Sequence, residues 1–157
     1  MSKATRATRM LEQAGVDFST HAYDYDPDVD SIGLAAAQAL GVAPGSVFKT
    51  LMTLVDGRPA CAMVPSDGEL AMKRLAAALA GKAAQMMKPA DAERIAGYKV
   101  GGISPFGQTR QVPMVIDASA LAWEAIYLNG GQRGLQVQLA PADAVRVLGA
   151  QVAAVVA

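Results

Sequence analysis

The sequence predicts an α+β fold: one compact domain over residues 1–157, built on a mixed, barrel-like β-sheet with helices packed outside. Two apolar hairpins stand far apart in the chain, "SVFKTLMTLVDGRPACAMVPSD" and "WEAIYLNGGQRGLQVQLA", each alternating about a glycine-containing turn. Short Ala- and Leu-rich stretches, opened by capping residues or proline and closed by glycine, lie around them. Hairpins and helices do not follow the steady strand–helix rhythm of a doubly wound sheet, which favours α+β.

Taken in order, "SKATRATRMLEQAG" is a helix with Ser2 as candidate cap and Gly15 as its stop. "VDFSTHAYDYD" alternates Val16, Phe18, Thr20 and Ala22 against Asp17, Ser19, His21 and Tyr23, a strand running into an acidic loop. Ser31 caps a short helix ending at Gly41. The first hairpin turns at Asp56-Gly57. Asp67 is the expected cap of "GELAMKRLAAALAG", with Leu70, Leu75 and Leu79 on one stripe. "KAAQMM" reads as a short strand, and Pro89 opens the helix "PADAERIAG". Gly101, Gly102, Pro105 and Gly107 then punctuate a turn-rich loop before the apolar run "VPMVID". The second hairpin follows, with strands around Glu124 to Leu128 and Leu135 to Leu139. Pro141 opens a last helix, and "QVAAVVA" is a closing strand.

Composition narrows the function. Hydrophobic residues make up 52% and charged ones 18%, which excludes a disordered chain. The formal net charge is zero, so the strongly basic signature of an autonomous nucleic-acid binder is missing. The single cysteine, Cys61, forbids an internal disulfide and fits a reducing compartment. No apolar run approaches the ~18 residues of a membrane span, and no signal-peptide run follows the charged start, so the expectation is a soluble cytoplasmic protein. One histidine and one cysteine leave no conventional zinc site, and no cofactor fingerprint is present.

Few residues could carry chemistry. On the strand "SVFKTLMTLV", Lys49 shares a face with Val47, Leu51 and Val55. It either snorkels to water along its apolar neighbours or lines a pocket and donates to a carbonyl, carboxylate or phosphate. The glycine turns "VGGISPFG" and "NGGQRG" are either sharp connections or backbone N–H donors that approach a ligand closely. His21 reads as a surface strand residue more than as a base, without a plausible serine or cysteine nucleophile beside it, and Cys61 sits in an apolar strand as a small hydrophobe. Tyr23 and Tyr25 flank Asp24 in the acidic loop. Arg110 and Arg133 are candidate phosphate contacts. Such an inventory polarises a carbonyl better than it attacks one.

These residues carry a resemblance. "VFKTL", "GYKVGGISPFGQ" and "IYLNGGQRGLQVQLAPADAVRVL", in this order with the opening "TRATRMLEQAGVDFSTHAYDYDP", resemble the YbaK/EbsC family of aminoacyl-tRNA editing proteins, nearest to the YbaK branch of Cys-tRNA(Pro) deacylases. The resemblance implies a trans-editing deacylase that clears cysteine from proline tRNA, with prolyl-tRNA synthetase as partner in a tRNA-dependent complex. It places the catalytic residues on Lys49 and on Tyr23, the pocket tyrosine. It places substrate-binding positions on Phe48, Thr50, Gly101, Gly102, Ile103, Ser104, Pro105, Asn129, Gly130, Gly131 and Gln136. Asn129 stands where the branch often has Ser, and Gln136 where it often has an acid. The lack of a protein nucleophile fits attack by the substrate's own thiol, with the Gly101–Gly102 loop steadying the oxyanion. The alternatives are a non-catalytic nucleotide or amino-acid binding module, a member with another aminoacyl-tRNA specificity, or a structural subunit.

Overall fold

The computed structural model describes residues 4–29 and 31–157. Helix α1 (Arg6–Ala14) starts from a capping box in which the Thr5 and Thr8 side chains bond each other's backbone N–H. The expected cap, Ser2, lies outside the described residues, and Thr5 does the capping. Strand β1 (Phe18–Ala22) follows. Helix α2 (Ile32–Leu40) is capped as expected by Ser31, whose Oγ accepts the Leu34 N–H at 3.2 Å. Strands β2 (Phe48–Val55) and β3 (Arg58–Pro65) form the first hairpin. Its turn residues Asp56 and Gly57 both have positive φ, 49° and 79°, the conformation that lets a two-residue loop follow the strand twist.

Helix α3 (Met72–Ala78) begins later than the sequence suggests, and Asp67 does not cap it. The reason is tertiary. The segment before the helix pairs with the C-terminal tail: Leu70 bridges Val156, the Ala71 N–H bonds the Val155 carbonyl, and the Ala157 N–H bonds the Glu69 carbonyl. Leu70 therefore stands outside the helical stripe. Strand β4 (Ala84–Met86), helix α4 (Pro89–Ala96), strands β5 (Met114–Asp117), β6 (Ile126–Asn129) and β7 (Leu135–Leu139), helix α5 (Pro141–Leu148) and strand β8 (Gln151–Ala153) complete the order. The second hairpin's first strand thus starts at Ile126, two residues after Glu124.

The α+β expectation holds, with the strands in two sheets instead of a closed barrel. One sheet is antiparallel, β1-β7-β6; the other is mixed, β4-β2-β3-β5-β8, with β5 parallel to β3 and β8. A single parallel bridge, Val47 to Tyr127, joins them. The largest core lies between the sheets and α1, where Phe48, Met63 and Ile116 meet Ile126, Leu128, Val137 and Leu11. A second packs α3 through Leu75 onto Val55, Ala62, Val64 and Val115. A third packs α4 through Ala92 and Ile95 onto Met52 and Cys61. Both faces of the mixed sheet are thereby covered by apolar packing, while the antiparallel sheet packs one face on the main core. Among the described residues, no helix is long and apolar enough to cross a membrane.

Candidate active site

The length of β4 makes the site. It pairs with β2 only at Thr53, Leu54 and Val55, while β3 pairs with all of β2. Residues 48–51 are therefore left with one open edge. Backbone direction alternates along a strand, and the Met52 carbonyl takes the Met87 N–H on the β4 side. By that alternation the Thr50 N–H and C=O point toward the open edge. A cleft of about 480 Å³ wraps this edge. Because it wraps, it takes Lys49 and Leu51 from one face of β2 and Phe48, Thr50 and Met52 from the other. The opposite walls are the first turn of α2, Met87 with Pro89 and Ala92 of α4, the Val100–Gly101–Ile103 loop, and Asn129 and Gln136. The Lys49 ammonium forms no ion pair among the described residues. One carboxylate, Glu69, lines the cleft with it.

Two glycine turns are locked together beside Lys49. In the first, Lys99 to Gly102, Gly101 has φ 90° and the Gly102 N–H bonds the Lys99 carbonyl at 2.8 Å, the pattern of a type II turn. In the second, the Asn129 side chain accepts the N–H groups of Gly131 at 2.7 Å and Gln132 at 3.2 Å. The same amide donates to the Gly101 carbonyl at 3.3 Å. Asn129 thus laces the two turns, and one N–H of its amide is left for a ligand. Gly102 allows the contact: a Cβ there would stand 2.7 Å from the Arg133 nitrogen and 2.9 Å from the Gln132 carbonyl carbon. Arg133 adds a bond from Nε to the Val100 carbonyl at 2.9 Å, and its guanidinium lies over the Tyr25 ring. It is a loop clamp, where the sequence suggested a phosphate contact.

The expected site residues divide accordingly. Phe48, Lys49, Thr50, Gly101, Ile103, Asn129 and Gln136 come together in the cleft. Gly102, Ser104, Pro105, Gly130 and Gly131 do not line it. Ser104 is fully buried, and its Oγ accepts the Phe106 N–H at 3.1 Å. The Gly130 N–H bonds the Leu135 carbonyl at 2.8 Å. Pro105 is buried too, and these residues shape the loops behind the wall. The Gly102 N–H, committed to Lys99, is not available to an oxyanion; the Gly101 N–H has no partner among the described residues.

Tyr23 stands behind the wall, packed with Ala36, Ala37, Val47 and Tyr127. Burial raises its hydroxyl pKa against the lowering effect of the neighbouring Gln136 side chain. The Tyr23 Oη, Thr50 Oγ1 and Gln136 Oε1 atoms are buried without a hydrogen bond of good geometry. Buried polar atoms are nearly always paired; Thr50 and Gln136 line the cleft, so their oxygens have capacity for a ligand, whereas the Tyr23 hydroxyl lies beside Gln136 behind the wall. Gln136 lies opposite both Asn129 and His21 in the sheet register. The His21 ring, however, turns away along the strand to Ser19 Oγ at 2.8 Å and Gln138 Oε1 at 3.0 Å. Cys61 is buried, and desolvation pushes its thiol up to about 12. Neither is placed to attack a ligand in the cleft. The α2 turn, the α4 wall and Glu69 went unnoticed in the sequence. The only hint was Gly33, where a Cβ would stand 2.6 Å from Ser66 Cβ, so that α2 sits close against the end of β3.

The family model for the aminoacyl-tRNA editing domain matches residues 26–147. The chain belongs to the aminoacyl-tRNA editing family. This editing domain is 36% identical over 138 residues to an Enterococcus faecalis protein provisionally named as the Cys-tRNA(Pro)/Cys-tRNA(Cys) deacylase EbsC, covering 87% of this chain and 84% of that protein. It is 24% identical over 147 residues to the Escherichia coli multifunctional Ser/Thr-tRNA deacylase ProXp-y, covering 90% and 86%. Its fold matches the crystal structure of a protein titled as a provisional trans-editing enzyme for prolyl-tRNA synthetase, with TM-score 0.82, 22% identity and 99% of each chain covered. The residues that line the cleft described above lie within the matched range.

Proposed function

We propose that this editing domain is a cytoplasmic, trans-acting deacylase that removes cysteine from mischarged tRNA(Pro), working beside prolyl-tRNA synthetase. One observation carries the reading. The cleft brings a lysine with no ion pair among the described residues against a glycine loop with a free N–H, yet the hydroxyls that line it, Ser31, Thr50 and Ser66, have no bonded base among the described residues, Cys61 is sealed in the core and His21 is bonded elsewhere.

The attacking group is then the substrate's own thiol. Its sulfur adds to the ester carbonyl carbon, the bond from that carbon to the ribose oxygen breaks, and the ribose oxygen takes up the proton the thiol gives up. The products are free tRNA and a cyclic thiolactone. Attack within one molecule draws on an effective molarity of up to about 10⁵ M or more, so the protein needs only to fold the substrate and steady charge. The Gly101 N–H serves the oxyanion. The Lys49 ammonium polarises the ester or holds the terminal ribose and phosphate. Thr50, Asn129 and Gln136 accept and donate to the aminoacyl group. Tyr23, behind Gln136, is a positioning residue.

The test compares Cys-tRNA(Pro) with Ser-tRNA(Pro), and wild type with Lys49→Ala. The serine ester should persist, and Lys49→Ala should lose nearly all turnover while melting as the wild type does. Equal rates on the two esters would remove the substrate thiol from the mechanism; a folded, fully active Lys49→Ala would remove the lysine. The named Ser/Thr specificity of one relative and the neutral Gln136 favour a second reading, a broader amino-acid preference, which the same assay resolves.

A further inference from the structure

A second cleft lies on the far side of α4. It measures about 610 Å³ and is lined by three arginines, Arg58, Arg94 and Arg110. The chain balances 14 basic against 14 acidic residues, so this clustering is local and not a reflection of composition. Arg58 leaves the Asp56-Gly57 turn at the first residue of β3. Arg110 is held beside α4 by a bond from its N–H to the Ile95 carbonyl at 3.2 Å. Arg94, on α4, is paired at 3.2 Å with Asp91, an acid lining the same cleft. Arg58 and Arg110 have no carboxylate partner among the described residues.

The position decides what this cleft is for. Met87 lines both clefts, and α4 divides them: Pro89 and Ala92 face the Lys49 side, Asp91 and Arg94 the arginine side. An α-helix is only about 10 Å across. An RNA strand with its aminoacyl end beside Lys49 leaves that cleft within reach of the arginines. Guanidinium forks match phosphate oxygens bidentately and stay charged at any working pH.

We infer that Arg58, Arg94 and Arg110 form a docking site for the phosphodiester backbone of the tRNA acceptor arm, continuous around α4 with the editing cleft. This rests on the editing reading for its geometry, and its test is separable from it. The full chain would be compared with Arg58→Gln, Arg110→Gln and the double variant, after thermal melts show equal folding. Three probes are needed: uncharged tRNA(Pro) in a binding titration across a salt series, Cys-tRNA(Pro), and the cysteinyl ester of adenosine.

The double variant should bind tRNA at least about tenfold more weakly. Its plot of log K against log salt should be shallower by about 2. Its kcat/KM on Cys-tRNA(Pro) should fall in parallel, with cleavage of the adenosine ester unchanged. Equal affinity and salt slope for wild type and double variant would overturn the site. So would a double variant that loses the adenosine ester as well. Wild type that binds tRNA through the arginines but cleaves neither ester would sink the deacylase reading and leave the docking site standing.

Discussion

Asn129→Ala tests the claim that the two glycine turns act as one unit. The buried Asn129 amide makes three bonds: it accepts from Gly131 N–H at 2.7 Å and Gln132 N–H at 3.2 Å, and donates to the Gly101 carbonyl at 3.3 Å. Alanine leaves all three backbone groups without this partner. Each such bond contributes about 1 kcal/mol net, the long ones less, so the loss should be about 2–3 kcal/mol. For a chain of this size that lowers Tm by roughly 4–12 °C. Activity should suffer more than stability implies, because the Gly101 N–H would no longer be held against the substrate and an ångström of misplacement can cost about 10²-fold. Asn129→Ser is the control. Its hydroxyl can accept from Gly131 but is too short to bridge to Gly101, so it should regain stability before it regains rate. The assays are a urea melt and single-turnover deacylation of Cys-tRNA(Pro). If Asn129→Ala melts with the wild type and turns over at the same rate, the turns are held by something else and the lacing argument is wrong.

Gly102→Ala should destabilise by about 1–3 kcal/mol and slow deacylation, because its Cβ meets the Gln132–Arg133 backbone, which cannot rotate away as a side chain could; a urea melt reads it. Cys61→Ala should keep wild-type turnover, and the native thiol should resist alkylation at neutral pH, since burial pushes it up to about 12; rapid labelling of the folded protein would contradict this. Asp117 gives a pH signature. Burial acts to raise its pKa, but bonds from Ser119, Val155 and Val156 outweigh it and hold it below the usual value. A depressed folded-state pKa stabilises above the unfolded value of about 3.9 and is lost as pH falls through the lower folded value. Asp117→Asn should therefore be less stable at pH 7, and the gap should close in melts run progressively below pH 4.

Local patterns that carry their own chemistry were readable in the sequence. Asp56-Gly57 announced its hairpin, Ser31 its helix, and Pro89 and Pro141 theirs, because turns, caps and proline starts depend on residues in immediate succession. The start of α3 was not readable, since its delay comes from the C-terminal tail lying across Leu70 and Ala71. The site followed the same rule. Lys49, Thr50, Gly101, Asn129 and Gln136 were singled out through their motifs, and they line one cleft. Their division of labour was not: that the Gly102 N–H closes a turn, that Arg133 clamps a loop, and that Tyr23 stands behind Gln136 are facts of long-range packing. Of the arginine cleft only Arg110 was visible, because Arg58 and Arg94 join it only after the hairpin and α4 have docked.

The three-residue length of β4 sets a dimension of this protein independently of its chemistry. It leaves four residues of β2, 48–51, unpaired on one side, and Lys49 and Thr50 fall among them. A strand advances about 3.3 Å per residue, so two more paired residues would zip roughly 7 Å of that wall shut and exclude a bulkier aminoacyl group without altering Lys49. Two fewer would widen it by as much. Substrate size and catalytic apparatus are thus set by different stretches of the chain, and either can change while the other is kept.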